Sequence, residues 1–339
     1  MTHDHLRTLA DLVAHLAGTG TEPTTAGDLG VGVHGVSLDS RRVTAGDLYA
    51  ALPGARAHGA DHWAQARDAG AVAVLTDPDG LRRIGDGVPA LVVAEPRRVL
   101  GSLAAEVYGR PAERLRMIGV TGTQGKTTTT RLLESGLTGA GVPAAVIGTV
   151  GTRILGEDVA SALTTPEAPD LHRLLRRMVD AGVEACAMEV SSHALVMGRV
   201  DGLVFDVAVF LNLGRDHLDF HADMNDYFAA KASLFTPDRA RSGLVNVHDE
   251  WGRRLVETAH IPVQTMSANG SPADWSAWDI SRTAAGSRFR ISGPGPTQVL
   301  AGCPIPGGFN VANTLAAVAS AAVVGYEAAS VAEAIAEGP

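Results

Sequence analysis

The chain has 339 residues, enough for two domains, or three, with a substantial core. Apolar residues make up 45% and charged residues 19%, which excludes a disordered chain, and the formal charge of −9 argues against a nucleic-acid binder that works through a broad basic face. Two cysteines, Cys186 and Cys303, are too few for a disulfide scaffold and fit a reducing compartment.

The opening Met1–His5 carries neither a basic n-region nor an apolar h-region, so no signal peptide is expected. Stretches such as Leu203–Leu213 are too short or too polar to span a bilayer, and the expected address is the cytoplasm. Residues 1–110 read as a small α/β unit. A helical pattern at about 4–16 precedes apolar runs at Gly35–Leu38 and Asp47–Leu52. A helix at Ala60–Ala69, strands at Ala71–Thr76 and Ala90–Ala94, and a helix at Arg97–Tyr108 follow. Gly109-Arg110-Pro111 punctuates the chain as a linker.

Residues 111–339 form the second unit. Strand-like runs fall at Leu115–Val120, Ala144–Thr149, Ala185–Val190, Val204–Leu211, Gly243–Val247 and Ile261–Thr265. Helices are expected from Lys126 to about Ala140 and at Pro166–Ala181, Asp223–Leu234 and Asp249–Thr258. Continuous apolar strands alternating with helices predict a mostly parallel sheet covered on both faces. Residues 275–301 read as an antiparallel piece, and helices at Asn310–Gly325 and Ala328–Glu337 close the chain. The fold class is α/β.

Of 28 basic residues only two are lysine, Lys126 and Lys231. A position that keeps Lys amid so much Arg calls for a compact ammonium or for an amine that can lose its proton and react; chance survival at a neutral site is the bland alternative. Lys126 lies in Gly119-Val120-Thr121-Gly122-Thr123-Gln124-Gly125-Lys126-Thr127-Thr128, between a buried strand and a helix start. Glycines let backbone N–H groups approach phosphate oxygens, and the helix dipole favours the anion. Lys126 can then reach the β/γ-phosphates and the Thr127 hydroxyl can hold Mg²⁺. The strict Walker spacing fails, because Val120 stands where it wants Gly.

Glu189 ends a strand, at the side of an α/β sheet where ligands bind, and suits Mg²⁺; a capping or ion-pairing Glu is the alternative. His217 and His221 have the i, i+4 spacing of a zinc pair on a helix, but Leu218 replaces the Glu a zinc protease needs, and a polar loop explains them as well. Arg199 suits a carboxylate or phosphate, or is a surface arginine. Asn310 and Asn313 open a helix and read equally as caps.

The phosphate loop resembles the TGTxGKTT form of the Mur ligases and their folylpolyglutamate synthase relatives. The likeness extends to Ala187-Met188-Glu189-Val190-Ser191-Ser192-His193, to Asn212-Leu213-Gly214-Arg215-Asp216-His217-Leu218-Asp219-Phe220-His221, to Tyr227-Phe228-Ala229-Ala230-Lys231 and to Gly308-Phe309-Asn310-Val311-Ala312-Asn313. Leu38-Asp39-Ser40-Arg41 and Gly46-Asp47-Leu48-Tyr49-Ala50-Ala51 resemble the nucleotide-sugar-binding first domain. Together these segments, over about residues 30–335, resemble the branch of the family that acts on UDP-MurNAc-L-Ala-D-Glu in peptidoglycan precursor synthesis.

The resemblance implies an ATP-dependent ligase that adds a diamino acid, meso-2,6-diaminopimelate before L-lysine, through an acyl phosphate. It implies a UDP-MurNAc-peptide-binding domain at 1–110, a central ATP-binding domain at 111–339, and a C-terminal amino-acid-binding domain that this chain lacks, so that it works poorly or not at all alone. ATP would be held by Gly122, Thr123, Gln124, Gly125, Lys126, Thr127, Thr128, Asn310 and Asn313. Mg²⁺ would be held by Thr127, Glu189, His217 and a CO₂-derived carbamate on Lys231. Lys126, Lys231 and His217 would be catalytic. Substrate would be held by Leu38, Ser40, Ala55, Arg56, Ala57, Thr164, Thr165, Ser191 and Arg199; Met197 stands where many relatives carry Gln. A monomer with no nucleic acid and no membrane insertion is implied. The rival readings are a folylpolyglutamate synthase-like ligase, a plain phosphate-loop kinase, and a non-catalytic nucleotide-binding module of cell-wall synthesis.

Overall fold

A computed structural model describes residues 6–160 and 163–338. Met1–His5, and with them the start of the expected first helix, lie outside the described residues. The chain divides into two compact units, one of Met1–Pro111 with Glu167–Arg177 and Gly198–Leu203, the other of the remainder.

The first unit is built on a five-stranded sheet. Its strands are β1 (Thr24–Ala26), β2 (Gly35–Ser37), β3 (Asp47–Ala50), β4 (Ala73–Thr76) and β5 (Ala90–Val92), in the order β1-β5-β4-β3-β2. All pairings are parallel except that of the edge strand β1. Period-two alternation sorts the side chains onto two faces. Leu48, Leu75 and Leu91 pack with leucines of α1 (Leu9–Gly18) and α4 (Pro96–Val107), while Tyr49, Val74 and Val92 pack with Trp63 and Ala66 of α2 (Trp63–Asp68). Thr8 and Asp11 form a reciprocal capping box that starts α1.

The sequence missed α3 (Pro78–Ile84). Asp77 caps it and Pro78 takes its first position, yet Asp-Pro-Asp-Gly also spells a turn. The helix expected at 60–69 begins instead as a 3₁₀ turn, Gly59–His62, before α2.

The second unit carries an eleven-stranded sheet. Its elements are β6 (Arg116–Thr121), α5 (Lys126–Gly139), β7 (Ala144–Gly148), β8 (Gly151–Ile154), β9 (Glu157–Val159), β10 (Ala185–Glu189), α6 (Ser192–Val196), β11 (Val207–Phe210), α7 (Met224–Ala232), β12 (Gly243–Asn246), α8 (Glu250–Thr258), β13 (Val263–Ser267), β14 (Trp275–Thr283), β15 (Gly286–Ser292), β16 (Gln298–Cys303), α9 (Phe309–Val323) and α10 (Ala328–Glu337). A further helix, Ala168–Asp180, joins β9 to β10 along the chain.

The strand order is β9-β8-β7-β10-β6-β11-β12-β13-β14-β15-β16. Pairing is parallel from β7 through to β14 and antiparallel at both ends. The strands Ala185–Glu189 and Val207–Phe210 are buried throughout, as two-sided coverage requires. Helices α5, α9 and α10 press Leu133, Leu137, Leu315, Val331 and Ile335 into the core with Ile118, Val146 and Val209.

The hairpin of β8 and β9, which the sequence left unassigned, extends one edge. The strand expected at 204–211 is shorter; Phe205 makes only an isolated bridge, to Ala240. Among the described residues no helix is long and apolar enough to cross a membrane.

Candidate active site

The strand order places the site. From β6 the chain crosses to β7 and β10 on one side, and later to β11 and β12 on the other. The carboxyl end of β6 is therefore a point where connections diverge, the place where open α/β sheets bind ligands. Three segments meet at that end: the loop after β6, the turn after β10, and the loop after β11.

The loop after β6 enters α5 through Gly125, which has a left-handed φ of +88°. A Cβ at this position would lie 2.5 Å from Asn313 Oδ1, so only glycine lets the backbone pass. The first N–H groups of α5, from Lys126, Thr127 and Thr128, have no partner inside the helix and suit an anion. The loop amides before them are divided in use. Asn212, just past β11, takes the N–H of Thr123 (3.1 Å) and of Gln124 (2.9 Å) on Oδ1, and its Nδ2 donates to Gln124 O at 3.0 Å. That carboxamide clamp holds the loop open, a role the sequence did not suggest for Asn212.

Lys126 Nζ donates to the carbonyls of Gly122 (2.8 Å) and Thr123 (3.1 Å). Lys231, on α7 and 1% exposed, donates to the same Gly122 carbonyl at 3.1 Å, and its ammonium sits 4.7 Å from the Tyr227 ring centre. Among the described residues neither lysine has a carboxylate within 4.0 Å. Burial lowers the pKa of Lys126, opposed by Glu189 and Asp216. Burial, reinforced by the neighbouring Lys126 charge and opposed by Asp216, brings Lys231 down to about 7. Tyr227 O–H reaches Thr123 Oγ1 at 3.3 Å and joins α7 to the loop.

Glu189 ends β10 and is 1% exposed. Its Oε1 accepts from Thr149 N (2.8 Å) and its Oε2 from Thr149 Oγ1 (3.1 Å). Gly148 makes room for it, since a Cβ there would fall 2.2 Å from Oε1. Each carboxylate oxygen keeps a second lone pair. Thr164 Oγ1 lies 3.1 Å from Thr149 Oγ1, and Thr165 Oγ1 donates to Glu189 O. Ser191 caps α6 by accepting from Ala194 N.

His217 lies in the loop after β11 with a positive φ of 52°, uncommon outside glycine. Its ring meets those of His193 (5.0 Å) and Tyr227 (6.0 Å) edge to face. The loop is not a helix, so the zinc-pair reading of His217 and His221 fails. Among the described residues no group of three or more His, Cys, Asp or Glu side chains could hold a metal by itself. Mg²⁺ does not ask for such a cage; it keeps waters and binds one or two carboxylates plus phosphate oxygens. Glu189 and the Thr127 hydroxyl fit that demand.

Asn310 and Asn313 are buried. Asn313 Nδ2 donates to Asn310 Oδ1, Thr129 Oγ1 approaches Asn313 Oδ1, and Asn310 Nδ2 donates to Pro306 O. They brace the start of α9 against α5.

The remaining predicted residues belong to the first unit. A cleft of about 560 Å³ is lined by Leu38, Ser40, Tyr49, Ala57, His58 and Gln65 among others; Ala55 and Arg56 do not line it. Ser40 Oγ donates to Gln65 Oε1 at 2.8 Å. His58 Nδ1 accepts from Ala60 N, so its Nε2 carries the proton and donates to Asp77. Arg41 holds Asp39 down at about 2 through hydrogen bonds. Arg199 Nε donates to Glu167 Oε1 at 2.8 Å, and Arg97 donates to the other oxygen. A larger cleft, about 1030 Å³, lies where β15 and β16 meet α10, and none of the predicted residues lines it.

The Mur ligase middle domain profile matches residues 120–321, and that of the Mur ligase family catalytic domain matches residues 32–108. The UDP-N-acetylmuramoyl-L-alanyl-D-glutamate–2,6-diaminopimelate ligase of Streptomyces avermitilis is 54% identical over 91% of this chain and 61% of its own length. The Corynebacterium glutamicum protein of the same name is 48% identical over 86% of this chain and 58% of its own length. A solved structure of a ligase of that name superposes with a TM-score of 0.78 at 28% identity, over 90% of this chain and 63% of that one. This chain thus spans about three fifths of the length of these relatives. With one domain profile covering more than half of its residues, the chain belongs to the Mur ligase family.

Proposed function

We propose that this chain carries the nucleotide and UDP-sugar-peptide sites of an ATP-dependent ligase that adds a diamino acid, meso-2,6-diaminopimelate, to UDP-MurNAc-L-Ala-D-Glu. The observation that carries the proposal is the convergence of Lys126 and Lys231 on the Gly122 carbonyl, beyond the carboxyl end of β6. The relatives' names supply the substrate.

The D-glutamate γ-carboxylate attacks the γ-phosphorus of ATP, ADP leaves, and an acyl phosphate forms. The incoming amine then displaces inorganic phosphate and the amide forms. Both partners of the first step are anions, so the site must offset their repulsion. The amides at the start of α5 and the Lys126 ammonium cradle the β/γ-phosphates. Thr127 and Glu189 would hold Mg²⁺, with His217 and Lys231 contributing to a second ion. When bound, Mg²⁺ neutralises charge on the transferred group.

Lys231 is suited to add CO₂. An amine whose pKa falls near neutrality keeps a substantial unprotonated, nucleophilic fraction, and the resulting carbamate is an anion; a guanidinium does neither. The first-unit cleft around Ser40 and His58 is suited to the uridine diphosphate; in the second unit we assign Thr164, Thr165 and Ser191 to the substrate. We place the reaction in the cytoplasm, where ATP is available. Calorimetry of this chain tests the reading: UDP-MurNAc-L-Ala-D-Glu and Mg²⁺–ATP should each bind. Failure of the UDP-sugar peptide to bind overturns the substrate assignment.

A further inference from the structure

His221 is a buried titratable group that the proposed chemistry leaves without a role. It is 3% exposed, whereas the side chain of His217, its neighbour in sequence spacing, is 43% exposed. His221 Nδ1 lies 3.2 Å from Asp226 Oδ2, and Nε2 lies 2.9 Å from Ser192 Oγ. A carboxylate only accepts, so Nδ1 carries a proton and donates to Asp226. The ring also packs against Phe220 and Tyr227, each at 4.9 Å, and against His193 at 6.0 Å. Asp226 accepts a second bond from Ala222 N at 3.1 Å.

Serine, histidine and aspartate in this order have the connectivity of a nucleophile relay. Ser192 is 1% exposed, however, so no substrate carbonyl reaches its oxygen, and the arrangement is not a hydrolytic centre. What the relay joins is more telling. Ser192 opens α6, directly after the turn that follows Glu189. His221 closes the loop that carries His217. Asp226 sits in the first turn of α7, the helix that carries Lys231. Each segment brings one of the side chains proposed above to hold Mg²⁺.

We infer that His221 is a positioning residue: through Asp226 and Ser192 it sets the placement of the segments that carry Glu189, His217 and Lys231, and so of the side chains proposed above for the two divalent cations. Partners beyond the ligands orient metal sites and are worth about ten- to a hundredfold in metal affinity. The inference rests on the Mg²⁺–nucleotide reading.

The test is the Mg²⁺ dependence of ADP binding, measured by calorimetry on the full chain, together with thermal unfolding. In His221→Ala the Mg²⁺ concentration for half-maximal effect should rise about tenfold, while ADP affinity in saturating Mg²⁺ stays near that of the parent. His221→Asn keeps a donor towards Asp226 and should recover part of the loss. Ser192→Ala deletes one hydroxyl and should shift the midpoint in the same direction by less. An unchanged midpoint in folded His221→Ala, even with a lowered unfolding temperature, overturns the inference. If His221→Ala shows no cooperative unfolding, Ser192→Ala decides, and an unchanged midpoint there overturns it. If the parent chain binds ADP without any Mg²⁺ dependence, the inference and the metal–nucleotide reading fall together. A Mg²⁺-dependent parent with insensitive variants sinks the inference alone.

Discussion

Lys126 and Lys231 place their amines on one acceptor, the carbonyl of Gly122, at 2.8 and 3.1 Å. Two ammonium groups so close repel each other in a buried setting. The better buried of them, Lys231, is therefore the one that gives up its proton near neutrality.

This has a consequence for stability. Free lysine titrates near 10.5, and the fold brings Lys231 to about 7. Between those values the unfolded chain binds a proton that the native chain does not, so the group's destabilising effect is full below pH 7 and fades as pH rises towards 10.5. Lys231→Met lacks that penalty. Urea midpoints measured from about pH 7 to about pH 9.5 should show the parent gaining on the variant as pH rises. Parallel curves would contradict the depressed value.

A neutral Lys231 amine should take up CO₂. In ¹³C-bicarbonate near pH 8 the chain should show a bound carbamate carbon resonance that Lys231→Ala lacks. Its persistence in that variant would move the modification elsewhere.

Lys126→Ala removes the ammonium beside the start of α5. Charged hydrogen bonds of this kind are worth about 1.5–3 kcal/mol, so ATP and ADP should each bind about ten- to a hundredfold more weakly. The unfolding temperature should change little, because a half-buried charge with no carboxylate within 4.0 Å among the described residues goes together with its two carbonyl hydrogen bonds. Unchanged nucleotide affinity would take the phosphate cradle away from this loop.

Glu189→Gln sets an amide NH₂ where both carboxylate oxygens now accept from Thr149. One donor then faces a donor, and the expected loss is about 1–3 kcal/mol by denaturant titration. The response of nucleotide binding to Mg²⁺ should weaken as well. Full Mg²⁺ response in a folded Glu189→Gln chain would exclude Glu189 as a ligand.

Gly125→Ala meets two obstacles, the left-handed φ of +88° and Asn313 Oδ1 at 2.5 Å from the new Cβ. A loss of about 1–3 kcal/mol in stability is expected, with weaker ADP binding because the loop must shift. Native-like unfolding and binding would show that the loop tolerates the methyl group.

Local patterns made much of this legible in advance. The continuous apolar runs at Ala185–Val190 and around Ile118 announced buried parallel strands, and both are buried strands in the fold. The helix at Ala328–Glu337 was readable to the residue. The shortage of lysine singles out Lys126 and Lys231 from composition alone. Such features depend on neighbours along the chain: backbone sterics, side-chain periodicity and the donors at a helix start.

Other features needed the chain to close on itself. Asn212 clamps a loop that precedes it by 88 and 89 residues at the two bonded amides. Ser192, His221 and Asp226 meet from three separate segments. The depressed Lys231 value arises from burial and from a second ammonium, neither of which leaves a mark on its own helix. Hydrogen bonding, desolvation and charge repulsion act over a few ångströms whatever the separation in sequence, so the residues available to each group were settled only when the sheet brought its loops to one end.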